Sequence, residues 1–219
     1  MKQYDTFITT GCSFTAGVIA NPKSKMAAYV WPHFCFQDIK PEISNFTNLA
    51  IPGAGNTAAL LNLVYFLENN KQLNSDNTLI GLNFTGLYRI DVICPTGIPG
   101  QDFGWKINGI NTPFQQIMGF EQTQIFNSMI IIQCLSYLEL RNFKYFFMIL
   151  EDSIYTQSTN WLQEFLDQRL DCWIKFDKDM SMLEFIKTNK VTTNDNHPTK
   201  DGHRLIANHV LNFLNSNDY

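Results

Sequence analysis

Lys144-Tyr145-Phe146-Phe147-Met148-Ile149-Leu150 is apolar at every position after the first. A strand with one wet face alternates, whereas a strand covered on both faces reads as an unbroken apolar run. This stretch therefore predicts a parallel sheet lying between two layers of helices. On its amino side, Phe120 to Glu139 has helical spacing, with Ile125, Met129, Ile132 and Leu135 on one side. On its carboxyl side, a helix over Asn160 to Leu170 turns Trp161, Phe165 and Leu166 inward, and Cys172 to Phe176 follows as a short strand. A helical turn or two over Ser181 to Thr188 and a last helix from Lys200 to about Leu214, with Leu205, Ile206, Val210 and Leu214 inward, complete this half.

The amino-terminal half repeats the unit. Strands are expected over Tyr4 to Thr10, Asn45 to Ala50 and Thr78 to Phe84, with helices over Val30 to Asp38 and Thr57 to Leu67 between them. Pro32 is tolerated in the first turn of its helix, where the missing N–H has no partner to lose. Five strands alternating with helices make a three-layer α/β/α sandwich with a five-stranded parallel sheet in a single domain over 1–219. The segment from Thr85 to Pro113 carries five glycines, three prolines and few periodic signals, and reads as a variable loop or lid.

Composition narrows the function. The 219 residues are 45% hydrophobic, enough for a large core without covalent staples. Sixteen basic and twenty acidic residues give a net charge of −4, and no Lys/Arg stripe follows a phosphate backbone, so nucleic acid is not an expected partner. The five cysteines form no Cys-x-x-Cys pair, and most are expected to be reduced and buried. Apolar runs stay far short of the roughly 20 residues that span a bilayer, and the amino terminus lacks a signal-peptide core. A cytoplasmic protein without a membrane partner is the expectation.

Chemistry concentrates at the two ends of the chain. Gly11-Cys12-Ser13-Phe14-Thr15-Ala16-Gly17 directly follows the first strand, and Asp195-Asn196-His197-Pro198 directly precedes the last helix. A serine on a strand-to-loop corner and a histidine carried by the other end are the two parts of a nucleophile site. Read alone, the first motif is also an ordinary tight turn, and its spacing matches neither common glycine-rich phosphate loop. Gly53 in Ile51-Pro52-Gly53-Ala54-Gly55 stands after the second strand and Asn83 in Gly81-Leu82-Asn83 at the end of the third, where a backbone N–H and an amide NH2 suit developing oxyanion charge. Asp195-x-His197 with Asp201-x-His203 also has the look of a metal cluster, but without a distant ligand Asp201 is better read as a first-turn helix carboxylate. His33, His203 and His209 fall in helices, where packing is the default. Cys12 is read as a small apolar residue packing under the turn. No metal or other cofactor is expected.

Taken in order, these elements resemble the SGNH, or GDSL-type, hydrolase superfamily, with similarity spread over almost the whole chain. Ser13 matches the nucleophile of the first block, Gly53 the glycine of the second, Asn83 the asparagine of the third and His197 the general base of the fourth. The resemblance implies a flavodoxin-like sandwich, an oxyanion hole from Ser13, Gly53 and Asn83, and ester hydrolysis without a cofactor. Trp31 and Arg89 look like features of a divergent branch found in microbes and their viruses. Cys12 stands where the family has Asp, and Asn194 stands where the triad Asp usually lies, three residues before His197. Asp195 is the substitute. Arg89 and Trp105 are candidates for substrate contact; Trp105, with Phe103 and Phe114, can cover an acyl chain, stack on a sugar or close the lid on the core. The expected substrate is a small-molecule or carbohydrate ester, narrowed to an O-acetyl group on a carbohydrate. The alternative is a noncatalytic carbohydrate-binding or assembly protein on the same fold.

Overall fold

The computed structural model describes residues 4–16, 29–39, 43–94, 104–108, 119–152, 160–177, 181–217 and 219, with Asp91 the one side chain described in the 90–94 and 104–108 strands. Gly17, Phe103, Phe114 and the Trp105 side chain lie outside the described residues. Strands β1 (Thr6–Thr10), β2 (Asn45–Asn48), β3 (Thr78–Phe84) and β6 (Lys144–Ile149) form one parallel sheet in the order β2-β1-β3-β6. Parallel neighbours need long crossovers. These are carried by α2 (Trp31–Ile39), α3 (Asn56–Asn69) and α4 (Phe120–Leu140). Chain order continues with α5 (Asn160–Asp167), α6 (Met182–Thr188) and α7 (Lys200–Ser216), while a four-residue α1 (Ser13–Ala16) follows β1.

The two faces of the sheet sort by residue parity, as the strand period of two dictates. Phe7, Leu79, Phe146 and Met148 point into a cluster closed by Trp31 and Phe34 of α2, Met182 and Phe185 of α6, and Ile206 and Val210 of α7. Ile8, Ile80, Leu82, Tyr145, Phe147 and Ile149 point the other way, against Leu63 of α3, Ile131 and Leu135 of α4, and Leu162 and Leu166 of α5. The three-layer sandwich is thus the consequence of strands that are apolar on both sides. Gly81 belongs to the first face because a Cβ there would stand 2.7 Å from Phe146 Cζ, so the ring occupies the place of a side chain.

Two expectations change. The fifth strand is reduced to a single parallel bridge between Phe147 and Trp173, held by Phe147 N to Cys172 O at 2.8 Å and Ile174 N to Phe147 O at 2.9 Å. Beyond it the chain leans on α7, where Lys175 O accepts from His209 Nε2 at 2.9 Å. The segment read as a loop contains an antiparallel ribbon, β4 (Ile90–Cys94) with β5 (Gly104–Asn108). Four cysteines are free thiols, with Cys12, Cys35 and Cys134 buried and Cys172 partly so. Among the described residues no helix is long and apolar enough to cross a membrane.

Buried amides hold the turn between β3 and β4. Asn56 grips Thr85 at both ends, accepting from Thr85 N at 2.8 Å and donating to Thr85 O at 3.2 Å. Asn127, fully buried on α4, donates to Leu87 O at 2.8 Å, Arg89 O at 2.9 Å and Thr123 O at 3.1 Å. Asp91 takes Gly55 N at 2.7 Å and Ala58 N at 2.8 Å. It thereby caps α3, whose N-cap Gly55 has no side chain for the purpose. Replacing Asn127 by Ala orphans buried carbonyls, at about 1–3 kcal/mol each. Asn127→Ala is expected to lower the urea unfolding free energy by about 3 kcal/mol, whereas Asn74→Ala, in an exposed turn, changes it little.

Candidate functional site

β1 ends in a corner that only glycine makes. Gly11 has φ +151°, and a Cβ there would meet Thr15 Oγ1 at 2.8 Å and Asn83 O at 3.0 Å. The chain then winds into α1, with Thr15 N and Ala16 N both donating to Cys12 O, at 3.0 and 2.9 Å. Cys12 points into the core and is fully buried. Burial pushes its thiol upward in pKa, although the Arg89 charge pulls the other way, so it is held as the neutral thiol. Ser13 opens α1 at 7% exposure.

The other half of the pair comes from a turn before α7. Thr193 N donates to His197 O at 2.8 Å, and Asn196, at φ +64°, takes the left-handed position that asparagine tolerates. Thr199 ties the turn down: its N and Oγ1 both donate to Val191 O, at 2.9 and 3.1 Å, and its Oγ1 accepts from Gly202 N as the cap of α7. A Cβ on Gly202 would stand 2.5 Å from that same Val191 O, so glycine is required for the approach. The result sets His197 Nε2 2.9 Å from Ser13 Oγ across 184 residues of sequence. The imidazole stacks on Phe14, ring centroids 4.9 Å apart, which fixes its plane.

Asp195 reaches the ring from the far side but does not grip it. Oδ2 lies 3.1 Å from His197 Nδ1, yet off the line of a hydrogen bond, and Nδ1 has no aligned partner. The carboxylate is 68% exposed. The Thr193 hydroxyl, donating to Oδ1, and the His197 backbone N–H hold its carboxyl below the usual range. Asn194 is exposed on the same turn.

Gly53 and Asn83 reach the same sheet edge. The Gly53 turn is joined to the serine corner by Ile51 N to Gly11 O at 3.1 Å, and Gly53 has φ +77°. Neither Gly53 N–H nor Ser13 N–H donates to another described residue. Asn83, 2% exposed, sits under the serine corner with Nδ2 donating to Thr15 Oγ1 at 3.1 Å, and its Oδ1 is unpartnered. Arg89 lies at the end of the pinned turn, close enough for its charge to act on Cys12 and Asp91.

The remaining histidines have packing roles. His203 is 4% exposed, and its Nδ1 accepts from Trp31 N at 3.3 Å, so it faces the core instead of sharing an ion with His197. His209 stacks on Phe176 at 4.8 Å, and Asp201 stands in the first turn of α7. A cavity of about 710 Å³ opens at the opposite edge of the sheet, around Glu139, Lys144, Tyr145 and Arg169. Its Arg169 and Tyr145 are already bound to Glu139, and it has no share in the Ser13 edge. Asp91, Asn127, Phe14 and Thr193 were not singled out from the sequence. Of these, only Asp91 carries a local signal, a lone charge in an otherwise apolar strand.

This is the α/β/α sandwich fold that solved SGNH, or G-D-S-L, hydrolases also have, and in this chain Ser13 and His197 meet at the carboxyl edge of its sheet. Solved structures with the same architecture include a member of the lipolytic protein G-D-S-L family from Veillonella parvula, 15% identical with a TM-score of 0.56, covering 94% of this chain and 96% of that one. The psychrotrophic esterase EstA from Pseudoalteromonas sp. is 14% identical with a TM-score of 0.56, covering 97% of each chain. The acetylxylan esterase Axe2 from Geobacillus stearothermophilus is 11% identical with a TM-score of 0.50, covering 98% of this chain and 96% of that one. No protein-family model and no curated protein matches the sequence.

His203 sets a pH dependence of stability. Burial, helped by the charge of His197, holds its pKa down at about 4 against an ordinary 6.5. Between these values the unfolded chain binds a proton that the folded protein refuses, so stability is full above pH 6.5 and falls as pH drops toward 4. The shift corresponds to about 3 kcal/mol. Urea titrations of wild type and His203→Gln, which cannot titrate, are expected to converge by about that amount between neutral pH and pH 4; curves that stay parallel contradict the assignment.

Proposed function

We propose that this chain is a serine-dependent esterase acting on a small-molecule or carbohydrate ester, narrowed to removal of an O-acetyl group from a carbohydrate. One observation carries the reading, the 2.9 Å contact between Ser13 Oγ and His197 Nε2. For Nε2 to take the serine proton, the ring hydrogen must stand on Nδ1, the side that faces Asp195. Ser13 Oγ then attacks the ester carbonyl, and its proton passes to His197 Nε2. The carbonyl oxygen becomes an oxyanion, with the N–H groups of Ser13 and Gly53 as its donors. The Asn83 amide joins them when it turns over: the Thr15 hydroxyl then donates to Oδ1, and the NH2 is released toward the substrate. His197 returns the proton to the leaving alcohol. Water, deprotonated by the same nitrogen, cleaves the acyl-enzyme and restores Ser13.

The carbohydrate half of the reading draws on the fold shared with an acetylxylan esterase and on the polar edge around Arg89. Trp105 is proposed as a substrate contact from its place on the β4–β5 ribbon.

Ser13→Ala is expected to lower kcat/KM for p-nitrophenyl acetate by about 10³ or more. Equal rates for wild type and variant would leave a binding or assembly protein on a hydrolase fold. Asp195→Ala is expected to cost less than about tenfold, far below the roughly 10⁴ measured where a buried carboxylate orients the histidine. The exposed, off-line Asp195 carboxylate is the reason. A loss as large as that of Ser13→Ala would show that Asp195 aligns with Nδ1 during turnover.

A further inference from the structure

Two charged groups stand at the carboxyl edge without a part in the Ser13–His197 chemistry. Arg89 ends the turn after β3, and Glu151 follows β6, where Leu150 N donates to Phe84 O at 2.8 Å and brings the two strand ends together. The Cys12 thiol, one residue before the nucleophile, is within reach of both charges. Glu151 is part-buried and held by a specific arrangement. The Tyr88 hydroxyl donates to Oε2. Gly86 makes that contact fit, because a Cβ there would stand 2.7 Å from Glu151 Oε2 and 2.7 Å from Tyr88 Cε1. Oε1 accepts no hydrogen bond from any described residue. The turn carrying Gly86, Tyr88 and Arg89 is fixed by Asn56 and Asn127, so Tyr88 holds the carboxylate from a rigid support at the same sheet edge as the serine corner.

We propose that Glu151, with Tyr88 holding one of its oxygens, selects esters whose alcohol half bears a free hydroxyl beside the ester, by accepting that hydroxyl's hydrogen on Oε1. The assignment rests on the esterase reading and names the feature of the alcohol that the site recognises. A neutral donor is the ligand that fits both neighbours. A cationic alcohol would meet the Arg89 charge, and an anionic one would meet the carboxylate. Burial raises the Glu151 carboxyl above its usual range, opposed by Lys187 and reinforced by Asp152, and a donor on Oε1 offsets that desolvation. A site built to bond a substrate hydroxyl discriminates strongly against the analogue that lacks it. A vicinal diol in which one oxygen is acetylated, as in a partly acetylated sugar, meets the requirement.

The test compares the monoacetate of vicinal cyclohexanediol with cyclohexyl acetate, which differ by one hydroxyl. Wild type is expected to prefer the diol ester by tenfold or more in kcat/KM, chiefly through KM, and Glu151→Ala to erase the preference. Tyr88→Phe, which keeps the ring and releases Oε2, is expected to weaken the preference and serves if Glu151→Ala does not fold. A wild-type preference below tenfold, a preference that survives Glu151→Ala, or faster cleavage of a choline ester than of the diol ester overturns the assignment. Cleavage of p-nitrophenyl acetate separates the two levels. If wild type cleaves it and Ser13→Ala does not, a missing diol preference removes the Glu151 role alone; if wild type does not cleave it, the esterase reading fails and the Glu151 role with it.

Discussion

The burial of β1, β3 and β6 on both faces is the constraint from which the rest follows. Strands with no wet side need a helical layer above and below, and parallel pairing makes each crossover supply one of those layers. All carboxyl ends of such a sheet lie along one edge. The serine corner after β1, the Asn83 position at the end of β3 and Glu151 after β6 are therefore neighbours in space, although far apart in sequence. α7 packs on α2 and brings the turn before it over the same edge, with Arg204 joined to Asp38 and lying 4.0 Å from the Phe34 ring. The short Ser13–His197 contact is a product of this packing.

The edge is stiffened by polar groups where a core would ordinarily be apolar. Asn56, Asn127 and Asp91 satisfy backbone groups of the 85–91 turn and the start of α3 that no secondary structure could reach. The histidine side is held differently, by a short turn with backbone and threonine hydrogen bonds and by the face of Phe14. The ring's plane is set by stacking more than by the carboxylate beside it. This division lets serine and histidine meet without a carboxylate in line with the ring.

The sequence made the layers legible because apolar period and strand burial are local properties. The run 144–150 predicted a doubly covered strand, and every one of Tyr145 to Leu150 is buried. Amphipathic spacing placed α7 and α3 to within a residue or two at their starts. The same rule failed on α4, where Ile125 and Met129 are exposed while Thr123, Asn127 and Ser128 are buried, because Asn127 hydrogen-bonds to the β3–β4 turn and the Thr123 and Ser128 hydroxyls are satisfied by the carbonyls of Gly119 and Gln124. It also failed on α5, where Leu162 and Leu166 face the core and Trp161 stays 40% exposed. The fifth strand was overextended because its single bridge depends on how α7 lies, which no local pattern records. In the site, Ser13 and His197 were legible as motifs. Phe14, Thr193 and the Glu151–Tyr88 pair acquire meaning only through contacts that the fold creates.

The central claim is that Ser13, activated by His197, is the one strong nucleophile of this edge. Reaction of the folded protein with a fluorophosphonate, followed by intact-mass and peptide mass spectrometry, tests it directly. The account predicts a single adduct on Ser13 that does not form in His197→Ala. An adduct on Cys12 or on another residue, or labelling of Ser13 that is indifferent to His197, would contradict it.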